Sequence, residues 1–221
     1  MSRRRELMAD RGELPAGYRR CKYLEATKGT PYIDTLILPT SNMIMDITVS
    51  SSKFGVSSNA IAIAGSRYST SGPSFSLVYW LNPSTSKNEV RFDCGNYINS
   101  GTSTAITKNN IYNFRFGNGT GNYQDGVLVS TSSGEVESGF NIYVFSINEQ
   151  NKLVNWSDNN GLRIYRFNIM RNGEIIMNLI PALDPSGVPC MYDTVTKQPY
   201  YNQGTDKFGY ELMDGTYVAP V

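Results

Sequence analysis

Apolar and polar side chains alternate one for one along several stretches of this chain, and that period decides the class of fold. Met43, Met45, Ile47 and Val49 fall on one side, with Ile44, Asp46, Thr48 and Ser50 on the other. Successive side chains of a strand point to opposite faces, so such a segment buries one face and wets the other. Val90, Phe92 and Cys94 alternate with Arg91 and Asp93 in the same way. So do Tyr112, Phe114 and Phe116 with Asn113 and Arg115, and Tyr165, Phe167 and Ile169 with Arg166 and Asn168. In each case the apolar set is assigned to the core. Weaker patterns predict strands over residues 32–38, 60–64, 75–81, 123–129, 141–147 and 174–180. Asn118-Gly119, Asp125-Gly126 and Arg171-Asn172-Gly173 supply turn chemistry between them. No helical period is sustained beyond residue 13. Many short strands divided by turns predict an all-β antiparallel sandwich or barrel. At 221 residues the chain suits one such domain, over 14–221, preceded by a short charged arm over 1–13.

Composition narrows the chemistry. Net charge is +1, and no basic stripe with interleaved aromatics occurs, so nucleic acid is not an expected partner. No apolar run approaches the ~18 residues of a spanning helix, so a membrane is not expected either. The start, Met1-Ser2-Arg3-Arg4-Arg5-Glu6-Leu7-Met8, has basic residues without the apolar stretch of a secretory signal. Synthesis in a cytoplasm is the expectation. Cys21, Cys94 and Cys190 are widely spaced and odd in number, which predicts buried free thiols rather than a metal site or a disulfide framework. The chain contains no histidine. That removes Ser-His-Asp and Cys-His catalysis and most zinc sites.

Both ends of the domain carry recognisable runs. The opening is Leu14-Pro15-Ala16-Gly17-Tyr18, Tyr23-Leu24-Glu25-Ala26-Thr27 and Tyr32-Ile33-Asp34-Thr35. The closing runs are Leu179-Ile180-Pro181-Ala182, Met191-Tyr192-Asp193-Thr194-Val195-Thr196 and Tyr200-Tyr201-Asn202-Gln203-Gly204-Thr205. Together they resemble the concanavalin A-like, or laminin-G-like, domains of gut bacteria and their phages. The middle is similar in pattern only, at Asp125-Gly126 and Asn141-Ile142-Tyr143-Val144-Phe145. The chain departs from the family at Val188-Pro189-Cys190, and at Lys197-Gln198-Pro199, where a glycine would close a hairpin. The resemblance implies an all-β jelly roll, a sandwich of two antiparallel sheets. It also implies a setting: a virion structural protein, as a capsid decoration, fibre or tail-associated subunit, with capsid or tail proteins as partners. Host or mucus glycans are further partners it suggests, and a homo-oligomer is compatible with it. The alternative setting is a glycan-binding adhesion module of a bacterial surface protein.

Candidate sites are few. Glu135-Val136-Glu137 is the nearest approach to the paired acids of a glycoside hydrolase, and its turn-like surroundings favour a solvated loop. No catalytic residue is therefore assigned, and no cofactor is required. For a calcium ion the candidates are Asp184 with Ser186, Asp158 with Asn159 and Asn160, and Asp34. The competing reading for each is an Asx-turn. If Phe75, Leu77 and Tyr79 are core, Trp80 points outward as a platform for a sugar or partner. Trp156, in a polar loop, is a second candidate contact. In the arm, Arg3, Arg4 and Arg5 could meet carboxylates of a neighbouring subunit, with Leu7 and Met8 filling a small pocket there.

Overall fold

The computed structural model describes residues 14–28, 30–53, 60–96, 100–154 and 161–220. The arm, Trp156 and the Asp158 candidate lie outside them. The described residues form two sheets and no helix, so none is long and apolar enough to cross a membrane. The larger sheet runs Val127–Ser130, Asn122–Gln124, Tyr112–Gly117, Met43–Ser51, Leu162–Arg171, Arg19–Ala26, Glu174–Leu183, Pro189–Asp193 and Gln198–Tyr201. Phe208–Leu212 pairs with Arg19–Ala26, and Tyr217–Val218 lies beyond it. The smaller sheet runs Lys152–Val154, Ile147–Glu149, Ile61–Arg67, Ser74–Asn82, Lys87–Cys94 and Gly101–Thr102. Tyr143–Val144 joins Ile33–Asp34 to the Ile61–Arg67 strand. Pairing is antiparallel except where Ile147–Glu149 lies parallel to Ile61–Arg67.

The two inner faces meet as the alternation requires. Met43, Met45, Ile47, Val49, Phe114 and Phe116 of the larger sheet share one core with Phe75, Leu77, Tyr79, Val90, Phe92 and Cys94 of the smaller. Phe116 is the junction, its ring centroid 4.7 Å from Phe75 and 5.8 Å from Phe92. Tilted aromatic contacts of this kind add about 0.5–1.5 kcal/mol each beyond area burial. Gly65 is where backbone geometry demands a glycine. Its φ is 140°, and a Cβ there would lie 2.4 Å from the carbonyl oxygen of Phe75 on the next strand.

Several expectations are corrected. Tyr165 is not a core residue. The pairing of Leu162–Arg171 with Met43–Ser51 slips between Ile164 and Arg166, so Ile164 takes the core position and Tyr165 is turned outward. There its ring lies edge-on to Tyr23 at 5.3 Å, and its hydroxyl is 3.2 Å from Ser50 Oγ. Asp93 faces away from the core as expected, but it is only 2% exposed. The strand expected over 32–38 shrinks to Ile33–Asp34, because Leu36 has φ 60°. The one expected over 141–147 breaks at Phe145, with φ 69°, into Tyr143–Val144 and Ile147–Glu149. The stretch 123–129 is a hairpin turning at Asp125-Gly126.

Candidate functional site

The outer faces of the two sheets carry the polar chemistry, and they differ. On the smaller sheet, Phe75, Leu77 and Tyr79 point inward, which sends Ser76, Val78 and Trp80 outward. Trp80 is half-buried, packed against Ala62, Val78, Ile147 and Val154. The Arg91 guanidinium carbon lies 5.5 Å from its ring centroid, and its Nε1 is buried without a hydrogen-bond partner. Arg91 donates from Nε and Nη2 to the two oxygens of Asp93, at 2.7 and 3.0 Å. Asp93 also accepts from Ser100 Oγ at 2.5 Å and Ser76 Oγ at 3.3 Å. Arg67 is ion-paired with Glu149. Burial pushes the Arg67 guanidinium below its ordinary pKa, and Glu149 opposes that shift. Glu89, 5% exposed, accepts from Asn82 Nδ2 at 2.8 Å and Thr85 Oγ1 at 3.0 Å. The buried charges of this face find ionic or hydrogen-bond partners within the protein, as buried charges must.

The larger sheet presents an open face with a depression at each end. Across its middle, Arg166 Nε donates to Asn168 Oδ1 at 3.2 Å and Asn178 Oδ1 at 3.1 Å. One depression, of about 450 Å³, is lined by Tyr23, Glu25, Lys53, Arg163, Glu211 and Tyr217, among others. Its arginine and its two glutamates are committed. Arg163 Nε donates to Glu25 Oε1 at 3.0 Å, and the guanidinium lies 4.9 Å from the Tyr23 ring centroid. Lys22 pairs with Glu211 and holds that carboxyl below its ordinary pKa.

The other depression, of about 460 Å³, is lined by Ile44, Asp46, Asn113, Arg115, Thr120, Tyr123 and Gly126. Asp46 and Arg115 stand directly opposite each other on paired strands. Opposite charges in that position normally interact. Here they diverge: Asp46 Oδ1 accepts from Asn113 Nδ2 at 2.8 Å, while Arg115 Nη2 lies 3.7 Å from the thioether sulfur of Met170. Among the described residues neither forms a salt bridge. Tyr123 is half-buried at the rim, close enough to Gly121 that a Cβ there would meet its ring at 3.2 Å. Alternation had already put Asp46 and Arg115 on the wet face. Nothing local could show that their strands are neighbours, or that Tyr123 stands beside them.

The remaining candidates are placed as follows. Glu135 and Glu137 are both exposed, on a segment outside the strands that buries Val136 between them. Asp184 accepts the backbone N–H of Ser186 at 2.9 Å and of Val188 at 2.8 Å, and the Tyr201 hydroxyl at 3.0 Å. That is an Asx-turn, and the Val188 N–H leads in holding the carboxyl below its ordinary pKa. Asp34 accepts from Leu36 N at 2.8 Å and Asn141 Nδ2 at 3.4 Å. Among the described residues no three His, Cys, Asp or Glu side chains gather as a metal site would require. The three cysteines are free and buried, and burial pushes each thiol up to about 12. Compared with protein-family models, curated proteins and solved structures, the chain matches none.

Proposed function

We propose that this chain is a non-enzymatic bacteriophage virion structural protein: a concanavalin A-like jelly roll that assembles into the particle as a decoration, fibre or tail-associated subunit and also contacts glycans. The motif runs at both ends of the domain support the family. The observation that carries the assembly role is the outermost strand of the larger sheet. Val127 and Leu128, adjacent and therefore on opposite faces of that strand, are 65% and 56% exposed. No charged residue stands between Gly126 and Gly134. Lysine, proline and inward charge, three of the usual guards of an edge strand, are missing from Val127–Ser130, and an exposed apolar edge favours pairing with a neighbour. In this reading residues 1–13 are a second tether, with Arg3, Arg4 and Arg5 meeting carboxylates on another subunit and Leu7 and Met8 a small pocket.

Incorporation into particles tests the proposal. Leu128→Lys and a deletion of residues 1–13 should each leave the isolated domain folded, while lowering its recovery in purified virions. Normal recovery of both variants would refute the assembly role. A glycan-binding adhesion module is the second reading, and the depression holding Tyr123, Arg115 and Asp46 is what favours it.

A further inference from the structure

The two depressions on the larger sheet have similar residue types but different states of commitment. Arg163 already has a carboxylate and an aromatic face, and Glu211 has an ammonium. Arg115 has only a thioether, a weak acceptor, for a fork of five N–H donors. A guanidinium fork matches a carboxylate in two parallel hydrogen bonds, and no carboxylate of the described protein takes that place. Asp46 stands across from it with one of its oxygens accepting from Asn113. That carboxylate makes the hollow neutral overall, which disfavours a bare polyanion such as phosphate. It calls for a ligand that also brings hydroxyl donors. Tyr123 adds a half-buried aromatic ring to the lining, and Thr120 and Asn113 add polar atoms.

We infer that the hollow formed by Asp46, Asn113, Arg115, Thr120 and Tyr123 is a subsite for an acidic sugar, a pyranose bearing one carboxylate. Arg115 receives the carboxylate. Tyr123 packs on the C–H face of the ring. Asp46 accepts hydrogen bonds from sugar hydroxyls, with Asn113 orienting it. The inference rests on the glycan-contact part of the proposed function and names its ligand class.

Calorimetric titration of the full chain with trigalacturonate and sialyllactose, beside neutral galactotriose and lactose, tests it. At least one acidic sugar should bind, more weakly as salt rises, and both neutral sugars at least tenfold more weakly. Arg115→Gln and Tyr123→Ala should each weaken acidic-sugar binding at least tenfold with an unchanged melting temperature. Arg163→Gln, in the other depression, should leave binding unaltered. Equal binding of neutral sugars, or an unaffected Arg115→Gln variant, overturns the inference while glycan contact stands. Binding of polyglutamate as tight as trigalacturonate overturns it in favour of an acidic peptide. Absence of binding to every sugar overturns both this inference and glycan contact, and leaves assembly to be judged by virion incorporation.

Discussion

The outer face of the smaller sheet and that of the larger sheet use the same residue types to opposite ends. Each sets arginine and aspartate beside an aromatic ring. On the smaller sheet Arg91, Asp93 and Trp80 are packed together, with Asp93 2% exposed and its oxygens taken by Arg91, Ser100 and Ser76. On the larger sheet Arg115, Asp46 and Tyr123 surround an open hollow, and the two charges turn to different neighbours. Burial is the difference. A buried charge must find its partner inside the protein, so its chemistry is used up in holding the fold. A charge at a wet hollow has no such obligation, because water serves until a ligand arrives.

The sharpest way to break this comparison is to remove the aspartate from each face. Asp93→Ala removes the carboxylate that pairs with Arg91 and should cost about 3–5 kcal/mol, the range for losing one member of a buried pair. Asp46→Ala should change stability by no more than about 0.5 kcal/mol, as surface substitutions do. Thermal and denaturant unfolding of the two variants checks both. Equal losses would mean the larger sheet's hollow is structural as well.

Trp80→Ala comes next. The ring packs on Ala62, Val78, Ile147 and Val154 and lies under Arg91. Its removal should destabilise the domain by about 2 kcal/mol, the scale for burying a large apolar side chain. Acidic-sugar affinity should not change. A Trp80→Ala variant of normal stability that loses glycan binding would move the contact surface to the smaller sheet.

A smaller effect should appear on raising the pH by one unit above 9, on the strand that carries Asp93. Its neighbour Cys94 faces the core, and burial raises that thiol from 9.0 to about 12. Unfolded chains release this proton near the ordinary thiol pKa, while folded chains keep it. Stability should therefore fall as pH rises above 9, by up to about 1.4 kcal/mol per pH unit from one thiol. Cys94→Ala should lose that part of the slope, as read from urea unfolding at a series of pH values. An unchanged slope would show the thiol to be wetter than its position implies.

The smallest expected change is in Arg115→Gln, whose melting temperature should match the parent because only a thioether contact is lost. A marked loss of stability would place Arg115 with Arg91 as a structural group and remove the distinction between the faces.

Two features of this protein were determined by sequence alone, and both are local. Period-2 alternation correctly directed Met43, Met45, Ile47, Val49, Val90, Phe92, Cys94, Phe114 and Phe116 into one core, because side-chain direction along a strand depends only on position. Turn chemistry placed Asp125-Gly126 and Asn172-Gly173, whose φ values of 51° and 82°, and 53° and 83°, are those of tight hairpins. Lys197 adopts φ 61° in the Asp193-to-Gln198 turn, where no glycine marks the sequence. Tertiary structure decided the rest. The slip that turns Tyr165 outward, the hairpin at Gln150-Asn151 with no glycine, and the unannounced strand Arg19–Ala26 all depend on how partner strands align. The candidate site depends on it most. Asp93 and Asp46 look alike in sequence, each an acid between apolar neighbours on an alternating strand. Which one is sealed and which stays open is set by what packs over each sheet and by which strands lie side by side, and those are properties of residues far away along the chain.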